Sequence, residues 1–482
     1  MLFNSIEFLI FFPVVTILYF LFPHRYRWGL LLISSCVFYI TYIPVYIYAL
    51  FLSVLLNYLA GIYIENTDSA RKKRILSISI IANVLILVAF KYFNFFKDTY
   101  IIKLLSLSHL SILLPLGLSF YTFSNISYVI EVYRGNIKAE KRLGIFAAFV
   151  MFYPKIAQGP IERAGNLLPQ FYKEYSFNYK RVTDGLKLMA WGFFKKVVIA
   201  DRLAISVNQV YNNPTGYSGG PLIIATVFFA FQIYADFSGY TDIAIGAAEI
   251  MGFKLSPNFN RPYSSKSIKE FWRRWHISLS TWLMQYIYLP IAYSTSRIFK
   301  KGRYFNIKAD KWVYLIAISV TFLICGMWHG TNRNFIVWGG LYGFYLIFSA
   351  WTSPPRKRIE KLLRIKKVPA LHNFIRIIIT FSLVSFAWIF FRADNIADAI
   401  YIIKHLFSFN GLDLSAMNGK KEAILAIVFM ESVYFIQGRY GSIRHILSEK
   451  PLWIRWTIYY MLILSIIFLG VFNRSQFIYF KF

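Results

Sequence analysis

The stretch from Trp312 to Gly330, WVYLIAISVTFLICGMWHG, is a nearly unbroken apolar run that ends in a histidine between tryptophan and glycine. An apolar run of this length predicts a transmembrane helix. His329 lies where hydrocarbon offers its ring nitrogens no water, so keeping it there is costly and indicates a function. The alternative is a histidine that only hydrogen-bonds a neighbouring helix.

Composition extends this prediction to most of the chain. Of 482 residues, 57% are hydrophobic, 20% are aromatic and only 16% are charged, and the mean hydropathy is +0.50. Soluble domains carry about a quarter charged residues. The sequence therefore predicts a protein that lies largely in or near the lipid bilayer.

The formal net charge of +31 would suit a nucleic-acid-binding protein, but its distribution argues against one. Lys and Arg occur in short clusters between apolar runs, without a basic domain or an RNA-binding motif. Cytoplasmic loops that set membrane topology explain them better, and no nucleic-acid partner is expected. Cys36 and Cys325 lie in apolar stretches without metal-ligand spacing, so neither a disulfide framework nor a metal site is predicted.

Apolar segments recur along the chain and predict an all-α polytopic membrane protein with about eleven to thirteen transmembrane or re-entrant helices. Segments that are too short or too polar to span alone are expected to be re-entrant or interfacial. The first run has no basic residues before it and no small-residue cleavage site after it, so we expect a retained helix. The segments lie at residues 5–23, 28–42, 45–64, 75–96, 112–133, 143–157, 183–203, 220–250, 276–297, 311–329, 334–352, 372–391, 421–436 and 452–472.

Basic clusters give the expected orientation. If all of them are cytoplasmic, pairs of helices separate the clusters at both ends of the chain, and both termini lie outside. The topology of residues 143–297 does not follow from the basic clusters. The clusters are His24–Arg27, Arg71–Arg74, Arg134–Arg142, Lys300–Arg303, Arg356–Lys367 and Arg439–Lys450.

A first polar stretch comprises Tyr153–Lys155 and Gln158–Arg163. Its Gly-Pro pair ends a helix and frees backbone groups that lipid tolerates only under a cover of protein or beside a wet cavity. A plain cytoplasmic loop is the alternative.

A second polar stretch, from Gln232 to Asp242, places two carboxylates in an apolar helix. Asp236 and Tyr240 are neighbours at i and i+4, as are Ser238 and Asp242. Aspartates in the membrane interior need a partner or water. We favour structural ion pairing with Arg or Lys over direct catalysis.

A third polar stretch comprises Asn260–Tyr263 and Phe271–Trp282. On one helix, Trp272, Trp275 and His276 would share a face from which the neighbouring arginines are excluded. Tryptophan and arginine together are typical of an interfacial anchor, but an anchor does not explain the histidine. The fourth polar stretch is Trp328–Asn332. In it, Gly330 permits a break in the helix or a close approach of another segment just after His329.

Together these stretches resemble the membrane-bound O-acyltransferase family, most closely its bacterial alginate O-acetyltransferase branch. The ordered set is more specific than any one motif, and the similarity covers nearly the whole chain. The matching residues are Met1–Ser5, Gln158–Arg163, Ala235–Asp242, Pro257–Pro262, Phe271–Ser280, Met327–Thr331 and Phe390–Ala393.

The resemblance implies one multi-pass domain over residues 1–482, with a motif-rich core at about 112–352 and a funnel on each face. It implies that His329 is the catalytic histidine and that His276 is a second functional histidine. It further implies acetyl-CoA as acyl-donor substrate, no bound cofactor and no metal. A polysaccharide acceptor outside the bacterial inner membrane, reached through an O-acetyltransferase-like partner protein, completes the implied reaction.

The chemistry fits these residues. A neutral histidine can take the proton of an attacking hydroxyl, which contributes about 10²–10⁴-fold to the rate. For His276 we consider substrate positioning, carbonyl polarisation and a purely structural role. Arg273 and Arg274 could hold the phosphates of coenzyme A or simply anchor the interface. The remaining binding candidates are Trp275, Asp236, Tyr240, Ser278 and Trp328.

Two alternatives stay open at this point. A D-alanyl transferase for teichoic acid would use an aminoacyl carrier protein instead of acetyl-CoA. A polytopic transporter or flippase would also use intramembrane Asp236, Asp242 and His329, although the sequence has no visible internal repeat to support one. The acceptor, either an alginate-like exopolysaccharide or peptidoglycan, is not determined by the sequence.

Overall fold

The computed structural model describes residues 1–96, 114–362, 367–408, 419–472 and 478. Within these ranges the secondary structure is helical except for one hairpin, in which Arg303–Tyr304 pairs antiparallel with Ile307–Lys308. The predicted all-α fold is confirmed. The C-terminus, for which an outward position is expected, lies outside the described residues, as do residues 112–113 and 363–366 of the predicted segments and clusters.

The α-helices are numbered here in chain order over the described residues. They are α1 (Ile6–Leu21), α2 (His24–Ile40), α3 (Tyr46–Glu65), α4 (Ser69–Phe96), α5 (Leu118–Tyr133), α6 (Leu143–Met151), α7 (Tyr153–Ile156), α8 (Ala164–Leu167), α9 (Tyr179–Phe193), α10 (Asp201–Tyr211), α11 (Gly220–Met251), α12 (Ile268–Arg274), α13 (Ile277–Leu283), α14 (Leu289–Ile298), α15 (Ala309–His329), α16 (Arg333–Trp351), α17 (Ser353–Leu362), α18 (Pro369–Arg392), α19 (Ile396–His405), α20 (Lys420–Tyr440), α21 (Ile443–Ser448) and α22 (Leu452–Leu469). Short 3₁₀ helices cover Leu168–Tyr172, Pro214–Gly216 and Pro262–Ser264, and π-helical turns cover Phe194–Ala200 and Met284–Tyr288.

Six of the described helices are long and apolar enough to cross a bilayer, namely α3, residues Ser69–Phe93 of α4, α11, α15, α18 and α22. Helices α16 and α17, which meet at a bend of 58°, would together add a seventh. The polytopic membrane architecture is therefore confirmed. The total of about eleven to thirteen segments stays a prediction, because it also counts helices as short as the 16 residues of α1.

The described chain falls into two compact units. The first comprises Met1–Val198, Ala235–Pro257 and Gln437–Lys481, and the second comprises Ile199–Tyr234 and Asn258–Ile436. The single membrane domain expected from the sequence stays a prediction.

The first unit has a core of aromatic and aliphatic side chains. Phe3 packs against Phe8 and stacks on Tyr240, with ring centroids 4.6 Å and 4.4 Å apart. Polar side chains also join its helices: Asn57 of α3 and Asn83 of α4 exchange two amide hydrogen bonds of 3.1 Å and 2.8 Å. Van der Waals packing and interhelical hydrogen bonds of this kind hold helices together where lipid weakens the hydrophobic effect.

In the second unit, the chain breaks between α12 and α13, so the interpretation of one continuous helix through Trp272, Trp275 and His276 is wrong. His276 has a left-handed backbone with φ 42°. The cause is competition for backbone hydrogen bonds from a separate segment. The N–H of Ile277 donates to the carbonyl of Asn258, and Asn260 N–H donates to the carbonyl of Arg274, both at 2.9 Å.

Helices α15 and α16 approach each other closely at two glycines. A Cβ at Gly326 would overlap the carbonyl oxygen of Phe335, and a Cβ at Gly339 would overlap the carbonyl oxygen of Phe322. Small residues at such crossings let helix backbones approach. This crossing fixes α15, the helix that ends at His329.

Replacing Gly339 with alanine should destabilise the folded protein by about 1–3 kcal/mol, because the added methyl group has no room against α15. Gly340→Ala is the matched control, since a Cβ at Gly340 would meet nothing within 4 Å. Alanine favours a helix equally at both positions, so the difference between the two variants isolates the overlap. Apparent melting temperatures of the purified protein in detergent would measure it, and equal temperatures would contradict this account of the crossing.

Candidate active site

His329 is the last residue of α15, and it lies in an aromatic pocket. The helix ends there because Gly330 is extended, with φ −179° and ψ 175°. The His329 ring is edge-on to Trp338 at 4.8 Å and to Phe391 at 5.1 Å between ring centroids. The residue is only 4% exposed. The sequence prediction of a histidine at a helix end is confirmed.

The turn after His329 is held against the residues that follow α18. Asn332 donates from Nδ2 to the carbonyl of Asp394 at 2.6 Å, and Asn334 donates to the carbonyl of Ala393 at 2.8 Å. Asn332 Oδ1 also accepts the Asn334 N–H at the start of α16. A Cβ at Gly330 would overlap the ring of Phe335, which confirms the predicted close approach. Sequence reasoning missed this anchoring of the histidine.

His276 lies against the same tryptophan as His329. The ring centroid of His276 is 6.4 Å from that of Trp328. The ring centroid of His329 is 4.5 Å from that of Trp328. The structure therefore brings together three of the candidates, and Trp275 joins them through Trp388, with ring centroids 5.1 Å apart. Trp388 in turn stacks on Trp338 at 6.0 Å. An aromatic wall thus links the surroundings of the two histidines.

The imidazole of His276 is buried, with 1% exposed. Burial lowers its pKa to about 3, so the ring is neutral at pH 7. Asn258, which sequence reasoning missed, lies with Oδ1 3.1 Å from His276 Nδ1. The candidate Ser278 donates from Oγ to the same oxygen at 2.9 Å. In the sequence, the only signal for Asn258 is its place in the matching motif Pro257–Pro262.

The two candidate arginines lie on α12. Arg274 forms an ion pair with Glu270, with Nη2 2.6 Å from Oε1, whereas Arg273 is exposed. The Glu270 carboxylate is the charge partner of Arg274 in this structure. Arg273 is the better candidate for a phosphate contact, which stays a prediction.

Asp236 and Tyr240 belong to the first unit and take part in its buried polar core. Lys196 Nζ lies 2.6 Å from Asp236 Oδ1, and Lys195 Nζ lies 2.7 Å from Asp242 Oδ2. Lys195 also donates to Ser238 Oγ at 2.9 Å. The predicted ion pairing is confirmed, and the two lysines are the partners that the sequence did not identify. The preference for a structural over a catalytic role stays a prediction.

The Gly-Pro stretch is buried in the first unit, so the alternative of a plain cytoplasmic loop is wrong. Glu162 is 0% exposed and accepts hydrogen bonds from Ser256, from its backbone N–H and from Oγ at 3.1 Å. The ammonium of Lys155 lies 4.3 Å from the ring centroid of Phe149. Protein therefore covers the backbone groups that the Gly-Pro pair leaves without helical partners, which is one of the two covers that the sequence predicted.

Comparison with known proteins identifies the group to which this arrangement belongs. The model of the membrane-bound O-acyltransferase family matches residues 142–391, which include both histidines. The chain belongs to this family. It is accordingly a multi-pass membrane protein and an O-acyltransferase, and the transporter alternative loses its support.

Three relatives show which activities occur among proteins similar to this O-acyltransferase. The chain is 36% identical over 454 residues to the "Probable alginate O-acetylase" of Pseudomonas aeruginosa, covering 92% of this chain and 81% of that protein. It is 31% identical over 503 residues to the peptidoglycan O-acetyltransferase of Helicobacter pylori, covering 94% and 91%. The teichoic acid D-alanyltransferase of Bacillus subtilis is 29% identical over 286 residues, covering 57% and 68%.

Removing one partner of the buried Lys196–Asp236 pair should strongly destabilise the O-acyltransferase. Lys196→Met is expected to cost about 3–5 kcal/mol, because it leaves a carboxylate uncompensated in a buried site. Adding Asp236→Asn should restore most of that loss, since the amide removes the charge and keeps an oxygen for the Ile478 N–H, which now donates to Asp236 at 3.0 Å. Thermal unfolding in detergent measures both. A double variant as unstable as the single one would contradict a purely structural ion pair.

Proposed function

We propose that the protein transfers an acetyl group from cytoplasmic acetyl-CoA to an acceptor outside the inner membrane of a bacterium, for O-acetylation of a polysaccharide. The proposal rests on the position of His329. This histidine is buried at the end of a helix, within residues 142–391 that the family model matches. The O-acetylating relatives support the acetyl group and the glycan, because their similarity extends over more than nine-tenths of this chain.

In the proposed reaction, His329 is the general base. The acceptor hydroxyl oxygen attacks the thioester carbonyl carbon, and a His329 ring nitrogen takes the hydroxyl proton. The tetrahedral intermediate then collapses, the carbon–sulfur bond breaks, and the proton passes to the departing thiolate to give coenzyme A. The products are an acetyl ester and a free thiol, so atoms and charge balance.

The surroundings of His329 suit this chemistry. Trp338 and Phe391 pack against its ring, and Trp388 lies 5.1 Å from Phe391 between ring centroids. A dry site lined by such side chains keeps water from hydrolysing the thioester.

The proposed transfer crosses the membrane, because acetyl-CoA carries phosphates that cannot pass a bilayer. The basic clusters are assigned to the cytoplasm, and both termini to the outside. Arg273 is proposed to contact the donor phosphates, with a contribution from Arg274 only if its ion pair with Glu270 opens. An O-acetyltransferase-like partner protein outside the membrane is proposed to receive or direct the acetyl group to the polysaccharide.

A second candidate is D-alanyl transfer to teichoic acid. The specific observation in its favour is the similarity to D-alanyltransferases of two species, over 57% and 58% of this chain. The longer similarity to O-acetylating proteins favours the acetyl group. The choice between alginate-like exopolysaccharide and peptidoglycan as acceptor is left to experiment.

His329→Ala should leave the protein inserted and folded but abolish acyl transfer, a loss of at least about 10²-fold, because the general base is gone. Membranes carrying the variant would be incubated with radiolabelled acetyl-CoA and the glycan fraction counted. His445→Ala is the matched control, since His445 is an exposed residue in α21 and pairs with Glu449 at 3.3 Å. Normal transfer by His329→Ala would sink the proposed mechanism.

Membrane vesicles of known orientation test the sidedness. With acetyl-CoA supplied on the cytoplasmic face only, label should appear on an acceptor protein or glycan added to the opposite face, because the site is proposed to receive donor and acceptor from different sides. His329→Ala vesicles control for leakage of donor. If label appears only when donor and acceptor share one face, transmembrane transfer is wrong even where His329 proves to be essential. Replacing acetyl-CoA with a D-alanyl carrier protein in the same assay tests the second candidate.

A further inference from the structure

Asn258 makes a set of hydrogen bonds around the start of α13. Its side chain is 1% exposed. The Oδ1 atom accepts the Ser278 N–H at 3.2 Å and the Ser278 hydroxyl at 2.9 Å, and it lies 3.1 Å from His276 Nδ1. Its backbone carbonyl accepts the Ile277 N–H at 2.9 Å. One residue from a separate segment therefore satisfies the first two N–H groups of α13.

These contacts fix which way the Asn258 amide points. The oxygen and nitrogen of an amide are distinguished by their hydrogen-bond partners. A backbone N–H can only donate, so the atom that faces Ser278 N must be the oxygen. A flipped amide would set its NH₂ group against that N–H in a buried site, where two donors facing each other are costly.

The fixed oxygen determines the proton position on His276. Because Oδ1 can only accept, His276 Nδ1 must carry the hydrogen of the 3.1 Å contact. A neutral imidazole has one N–H, so the lone pair is on Nε2. His276 also has a left-handed backbone. The backbone groups of Arg274 and Ile277 on either side of it are bonded to Asn260 and Asn258.

We propose that Asn258 is a positioning residue that holds His276 as the Nδ1–H tautomer, so that Nε2 accepts a hydrogen bond from the acceptor hydroxyl of the acyl transfer. Polarising the thioester carbonyl would need an N–H at Nε2, and this tautomer excludes that role. His276 then orients the hydroxyl that His329 deprotonates. The tautomer follows from the contacts alone, whereas the role in transfer rests on the proposed function.

Nitrogen NMR tests the tautomer without any activity measurement. The full-length protein would carry ¹⁵N-labelled histidine in lipid nanodiscs, and the His276→Gln variant would identify the His276 signals by their loss. At pH 7 we expect hydrogen on Nδ1 and an unprotonated Nε2. An Nε2–H signal in the wild-type protein would overturn the proposal.

Variants at Asn258 test the cause. Asn258→Leu removes the acceptor and should shift His276 to the Nε2–H tautomer or to a mixture, whereas Asn258→Asp keeps an acceptor oxygen and should retain Nδ1–H. Asn125→Leu is the matched control, because Asn125 is also a fully buried amide, bonded to Ser53 at 3.0 Å in the first unit. An unchanged tautomer in Asn258→Leu would refute the positioning role. Should that variant fail to fold, the smaller Asn258→Ala, which also removes the acceptor oxygen, takes its place with the same expected shift.

Acyl transfer gives the second readout. Asn258→Leu should lower kcat by about 10–100-fold, the loss seen when a hydrogen-bond partner that orients a metal-ligating histidine is removed. Asn258→Asp should recover most of it. A tautomer that changes while kcat stays at the wild-type value would overturn the proposed role of His276 in transfer. If the wild-type protein itself transfers no acetyl group, the proposed function is wrong. The spectra would still show whether Asn258 sets the tautomer of His276.

Discussion

Polar atoms kept away from water must find their partners inside the protein, and this constraint explains much of the structure. An unpaired buried charge costs several kcal/mol, so each one brings a counter-charge or a donor with it. Lys195 and Lys196 face Asp242 and Asp236. Glu162 takes both donors of Ser256. In an apolar interior these pairs have few alternative partners, so they fix which segments pack together.

The same constraint positions the histidines. His276 lies where the helix is interrupted, because Asn258 and Asn260 take the backbone groups that a continuous helix would use. His329 lies where a helix ends, and the turn that follows it is held by Asn332 and Asn334. Both imidazoles contact Trp328 in surroundings made of aromatic rings. Both residues are buried, and a site that excludes water favours transfer of an acyl group over its hydrolysis.

The buried lysine–aspartate pairs and the two histidines lie in different units of the O-acyltransferase. The pairs join segments of the first unit, whereas His276 and His329 belong to the second. His276 is neutral at pH 7 because burial opposes its charge. In the proposed mechanism, the oxygen of Asn258 holds the hydrogen on Nδ1 of this imidazole, and His329 takes the proton of the acceptor hydroxyl.

The sequence by itself determined the membrane class, the all-α architecture and the family, because apolar runs and an ordered set of motifs are properties of consecutive residues. It also placed His329 at a helix end, since Gly330 follows directly. Only the tertiary structure showed that α12 and α13 are separate, that Lys195 and Lys196 pair with aspartates distant in the sequence, and that Asn258 contacts His276. These features depend on hydrogen bonds and ion pairs between segments distant in sequence. Local periodicity carries no information about such partners, so the helix through Trp272 and His276 looked continuous until the backbone bonds of Asn258 were known.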